Sequence, residues 1–182
     1  TSTKDGSATI TMAYLDGTWS RECELTSTST TSAKVAINFF ASSDNATKST
    51  TYYTGTICYN TNYVLIEKIN NITIGSKTTT SGNLIITKYT AVILDITIEP
   101  KSTALATSLN DASFCGLTSW SSGLETSIAG KTCSSINYSS VNDGFRDIVQ
   151  MDSERTYIRT GNTSDIASDG YPSTVYYNKY FK

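Results

Sequence analysis

Histidine is missing altogether from this sequence of 182 residues. Its absence removes the commonest general base and the commonest zinc ligand, and with them every Ser-His-Asp or Cys-His arrangement. Charge is also scarce, at 16% of residues, and nearly balanced, with 14 Lys and Arg against 16 Asp and Glu. No basic tract stands out, which argues against a nucleic-acid partner. Proline occurs twice and glycine eleven times, too seldom for a Pro/Gly-rich linker. The longest apolar run, around Ala91–Ile98, is broken by Asp95 and Thr97 and falls short of a membrane span. No Cys-x-x-Cys pair, phosphate-binding Gly-rich loop, G-x-S-x-G or EF-hand loop is present. No cofactor or metal is therefore expected.

Hydroxyl groups supply the missing polarity. Ser and Thr together number 57, and there are twelve Tyr. Thr and Tyr favour strands, and Ser favours turns. The length points to a single domain over residues 1–182. The polar opening Thr1–Ser7 reads as a mature or trimmed N-terminus. Four cysteines, Cys23, Cys58, Cys115 and Cys133, allow three disulfide pairings. The sequential pairing, Cys23–Cys58 with Cys115–Cys133, closes the shortest loops and is the one expected. Two disulfides place the chain in an oxidising compartment, which implies export.

Alternating hydrophobicity predicts nine or ten strands and one short helix. Tyr14–Leu25 reads as the first strand, with Trp19, Arg21, Cys23 and Leu25 on one face. Thr26–Ser32 is a run of seven hydroxyl residues, read as a loop. Ala33–Ala41 follows with Val35, Ile37 and Phe39 on one face; Ser42–Lys48 reads as a turn, and Thr50–Tyr59 and Tyr63–Ile69 as strands. Leu84–Glu99 alternates most clearly, with Leu84, Ile86, Val92, Leu94, Ile96 and Ile98 in register and Lys88 and Thr90 breaking it. That pattern describes either two strands or one long bent strand. Lys101–Ala112 predicts the helix, capped by Ser102 or Thr103. Phe145–Met151 and Arg155–Thr160 form a hairpin turning at Asp152–Ser153, and Ser173–Phe181 closes the chain as a strand. Strands following one another without helical crossovers make an antiparallel sheet, either a closed barrel or a β-sandwich.

Two carboxylate pairs, Glu22 with Glu24 and Asp152 with Glu154, read as solvated surface charge, since no feature sets either across a cleft. The cluster Tyr171, Tyr176, Tyr177 and Tyr180 reads as strand chemistry. The N-x-[ST] triplets at Asn45, Asn71, Asn137 and Asn162 carry little information in so hydroxyl-rich a chain.

The triplet Gly17-Thr18-Trp19 at the start of a first strand resembles the G-x-W of lipocalins. GTWSREC with Cys58 in YYTGTIC, and DIVQMDSERTYIRTG followed by YPSTVYYNKYFK, resemble small exported or lipid-anchored bacterial lipocalin-like proteins. The resemblance implies an antiparallel barrel of about eight to ten strands in which Trp19 caps one end beneath a basic residue from a late strand, with Arg155, Arg159 and Arg21 as candidates. The helix falls mid-chain rather than after the eighth strand. In such a barrel Trp19, Val35, Ile37, Phe39, Leu94 and Ile96 face the interior by strand parity. A non-catalytic binding protein for a small apolar ligand is the expected function. The alternative is an adhesive or structural β module of a bacterial cell surface, with a surface partner and no internal ligand. Neither reading specifies an oligomeric state.

Overall fold

A computed structural model describes residues 9–80 and 82–182, so the expectation for Thr1–Ser7 lies outside the described residues. Eight strands close into one antiparallel barrel. They are β1 (Gly17–Ser20), β2 (Ser32–Phe40), β3 (Asn45–Tyr53), β4 (Thr61–Thr79), β5 (Ile85–Pro100), β6 (Gly144–Met151), β7 (Tyr157–Thr160) and β8 (Tyr180–Phe181). Each strand pairs with its neighbours in the chain, and β1 closes the ring by pairing with β2 from Gly17↔Phe39 to Ser20↔Ala36 and with β8 at Ser20↔Phe181. This closure matches the expected lipocalin-like barrel and rules out the sandwich.

The first predicted strand is shorter than its alternation implied. Thr11 caps a single helical turn, α1 (Met12–Leu15), and Gly17 turns the chain into β1 at φ 102°. Strand geometry stops at Ser20 and resumes only at Glu24–Leu25 beside β2, so Leu25 is exposed rather than on a face shared with Trp19. β3 starts at Asn45, inside the predicted turn, because the reversal takes only residues 41–44, with Asp44 at φ 51°. It ends at Tyr53, since Cys58 and Asn60 take positive φ. Buried Ser32 ties that loop down: its Oγ donates to the Gly55 carbonyl at 2.6 Å and accepts from the Cys58 N–H at 2.8 Å. Both disulfides join the expected partners, Cys23–Cys58 and Cys115–Cys133.

β5 is one long strand with a bulge, and the bulge reverses its parity. Asp95 pairs with Lys68 and Ile93 with Ile69, so Leu94 is the extra residue. Tyr89, Ala91 and Ile93 are buried before it, and Ile96 and Ile98 after it. Lys88 and Thr90 therefore fall on the outward side of the same alternation they seemed to interrupt. The last strand is also shorter than expected. Val175 makes only an isolated bridge to Gly161, and the ladder to β7 holds Tyr180 and Phe181 alone.

β6 pairs with β5 only from Thr87 to Val92. The outer part of β5 keeps a free edge, and the segment between β5 and β6 uses it. Thr126 and Ser127 pair with Ile98 and Thr97 there, and the Ile128 N–H donates to the Ile96 carbonyl at 2.8 Å. The predicted helix is present in this segment as α2 (Thr103–Asp111), with the Ser102 hydroxyl accepting from the Leu105 N–H at 3.1 Å. Asn110 at its end clamps both backbone groups of Trp120, at 2.7 and 3.0 Å. Trp120, Ile128 and both cysteines of the second disulfide join the same core cluster as Trp19 and Phe39.

Candidate functional site: the barrel lumen

Eight strands leave an interior that side chains either fill or line around one small ligand. Here they line it, around a cavity of about 750 Å³. The wall follows strand parity. β2 supplies Val35, Ile37 and Phe39; β3 supplies Ala46, Lys48, Thr50 and Tyr52; Glu67, Tyr89, Asp147, Thr160 and Tyr180 continue the ring from later strands. Alternate residues turned to one space identify that space as the lumen.

Three of the residues expected inside, Val35, Ile37 and Phe39, line this lumen. Leu94 does not: as the bulged residue it points outward and is 44% exposed. Ile93 takes the inward place. Ile96 sits directly across from Glu67 and so faces inward as expected, but it is buried in the core and does not line the cavity. Trp19 sits directly across from Ile37 and faces inward as expected, but it is fully buried in the core and does not line the cavity. Its indole N–H donates to the Leu15 carbonyl of α1 at 2.6 Å, which pins the helical turn to β1. The cation over its ring is Lys182, with Nζ 5.2 Å from the centroid, not one of the expected arginines. Arg155 instead stacks on Tyr14 at 3.4 Å, Arg159 lies 5.7 Å from the Tyr157 ring, and Arg21 lies 5.3 Å from Tyr180. The C-terminal residue reaches Trp19 because β8, which ends beside it, pairs with β1.

The lumen also holds charge, which the sequence reading missed. Lys48 and Glu67 are direct cross-strand partners on β3 and β4, and their charged ends lie 3.3 Å apart. Burial opposes the Lys48 charge, but Glu67, Tyr180 and Asp147 together outweigh it and hold the ammonium above its ordinary value. Arg21 donates from Nε and Nη2 to the two carboxylate oxygens of Glu24, and Asn178 donates to the same carboxylate at 2.8 Å. Asp147 is 8% exposed. Its Oδ1 accepts from the Ile148 N–H at 2.8 Å and the Gly161 N–H at 3.0 Å, and its Oδ2 accepts from the Tyr89 hydroxyl at 3.1 Å. Burial pushes this carboxyl up to about 6, against those donors and Lys48. Burial, followed by the Asp147 charge, raises the Tyr89 phenol well above its usual range. Gly161 permits this arrangement, since a Cβ there would collide with the Asp147 carboxylate and with Pro172.

The carboxylates singled out from the sequence lie elsewhere. Asp152 is buried rather than solvated, and it holds the β6–β7 turn by accepting from the Thr156 N–H, the Thr156 hydroxyl and the Tyr157 N–H at 2.6–2.9 Å. Glu154 and Glu22 are exposed. Glu22 and Glu24 border a separate surface cleft of about 320 Å³. Within the tyrosine cluster, Tyr176 and Tyr180 turn into the lumen, Tyr171 lies beneath Lys88 and Arg146, and Tyr177 is 89% exposed.

Among the described residues, no group of three or more His, Cys, Asp or Glu is placed to hold a metal, and no helix is long and apolar enough to cross a membrane. No known protein family's sequence profile matches this chain, and no curated protein matches it.

Proposed function

We propose that this chain is a non-catalytic, exported binding protein that holds a small, largely apolar ligand in the lumen of a lipocalin-like barrel. The observation that carries the proposal is the lumen itself. At about 750 Å³ it falls within the usual range of small-molecule sites. Val35, Ile37, Phe39, Ile69, Ile93 and Phe145 supply apolar wall, whose desolvation by a ligand drives binding. The polar groups at Lys48, Glu67 and Asp147 orient what enters. Asp147 has donors at both carboxylate oxygens, which favours a structural over a catalytic role. The two disulfides suggest an oxidising compartment, in keeping with the periplasm, an outer surface or the medium. The resemblance to bacterial lipocalin-like proteins extends this reading to a cell-surface protein, soluble or anchored by lipid.

Titration with an uncharged environment-sensitive fluorophore tests the proposal. Saturable binding of one probe per chain is expected. Val35→Trp, which fills the lumen from β2, should abolish it while the variant keeps a cooperative thermal transition. No saturable binding to the wild type, or unchanged binding to the filled variant, would overturn the reading.

A further inference from the structure

A second cavity, of about 240 Å³, lies under α2. Leu105 and Leu109 of the helix face Leu65 of β4 and Ile98 of β5 across it, and Phe114 and Ile136 complete its apolar wall. This space exceeds the roughly 150 Å³ of an apolar cavity that takes up benzene. The second disulfide borders it through Cys133 and fastens its outer wall to the short turn after α2 at Cys115.

Tyr52 belongs to the walls of both cavities. It pairs across the sheet with Tyr63, and the two rings stack with centroids 4.6 Å apart and planes 22° from parallel. Tyr63 and Tyr138 stand on the far side, where burial pushes the Tyr63 phenol up to about 12. The stacked pair therefore stands between a space with charged groups and a space lined by aliphatic and aromatic side chains, whose polar groups are the uncharged hydroxyls of Tyr63, Tyr138 and Ser134.

The charges on the polar side are already matched. Lys48 faces Glu67, Arg21 faces Glu24, and Asp147 accepts three hydrogen bonds. A net charge brought in by a ligand would have to share or break one of these pairs and give up part of its own hydration. Hydroxyls of Thr50, Tyr52 and Thr160 line the same space and suit an uncharged polar group.

We propose that the two cavities form one bipartite site for an uncharged amphiphile, its hydroxyl- or amide-bearing head beside Lys48 and Glu67 and its apolar tail passing Tyr52 into the space under α2. The proposal rests on the lumen being the binding site and adds the chemical class of the ligand and the place of its tail.

A series of linear primary alcohols of increasing length, with the carboxylate and the amine of each length as controls, tests it by calorimetric titration. Affinity of the alcohols should rise about fourfold per added methylene, the equivalent of about 0.8 kcal/mol. Carboxylates and amines of the same length should bind at least about tenfold more weakly, because they import an unmatched charge. Leu109→Trp fills the space under α2. It should leave the shortest binding alcohols at wild-type affinity and end the gain with chain length several methylenes earlier. Ile136→Trp fills the same space from an exposed position, 56% accessible, and serves where Leu109→Trp does not fold. Equal loss for short and long alcohols, or no change in the length dependence, would refute the tail site. Equal binding of charged and uncharged members would refute the head preference. Failure of every alcohol to displace the fluorophore from the wild type would instead count against the lumen reading itself.

Discussion

Asp147→Asn separates the electrostatic cost of the buried carboxyl from its role as a hydrogen-bond acceptor. The asparagine oxygen can still accept from the Ile148 and Gly161 N–H groups, and its amide can donate to the Tyr89 oxygen. What changes is the charge. The carboxyl ionises at about 6 in the folded chain, against an ordinary value of 3.8. Below 3.8 both the folded and the unfolded chain hold the proton, and above about 6 neither does. Between those values only the folded chain holds it, so stability falls as the pH rises through that window. The gap corresponds to about 3 kcal/mol, present below the window and lost above it. Asp152, Glu125 and Asp169 have lowered values and act in the opposite sense, losing stability as the pH falls. They are common to both proteins and cancel in the difference. Urea unfolding with the disulfides intact, at intervals from about pH 3.5 to 7.5, should show the variant gaining about 3 kcal/mol on the wild type across the series. Parallel stability profiles for the two proteins would refute the reasoning, because they would mean that Asp147 ionises alike in the folded and unfolded chains.

Two further outcomes follow from the packing. Trp19→Ala removes a fully buried indole and its bond to α1, so it should cost about 3–5 kcal/mol in thermal or urea unfolding; a midpoint close to wild type would show that the indole does not seal this end of the barrel. Ile93→Ala should cost about 2–4 kcal/mol while Leu94→Ala stays within about 0.5 kcal/mol, and the reverse order would refute the bulge that turns Leu94 outward.

Local signals in the sequence carried far. The Ser102 cap and the apolar spacing after it marked α2, because capping and helical periodicity act within one turn. The hairpin at Asp152 and the antiparallel character of the sheet were legible for the same reason: each depends on residues close together in the chain. The disulfides, too, followed from cysteine count and loop length. Other features depend on pairing between strands and left no such mark. Nothing in Ala91–Ile98 announces that Leu94 is an inserted residue, since a bulge exists only relative to the partner strand, here Lys68 and Ile69 of β4. A lysine in a hydroxyl-rich stretch reads as solvent-facing, and only the register that sets Lys48 opposite Glu67 makes it a lumen residue. The expected cation over Trp19 is Arg155, Arg159 or Arg21, but closure of β1 on β8 delivers Lys182. By itself the sequence determined an antiparallel all-β chain with one helix and favoured the pairing of nearest cysteines, which arise from period-two alternation and short-range closure. Whether the barrel interior is filled or open, and which charges face it, was decided by the tertiary structure, because that space is the sum of side chains from all eight strands brought round to one another.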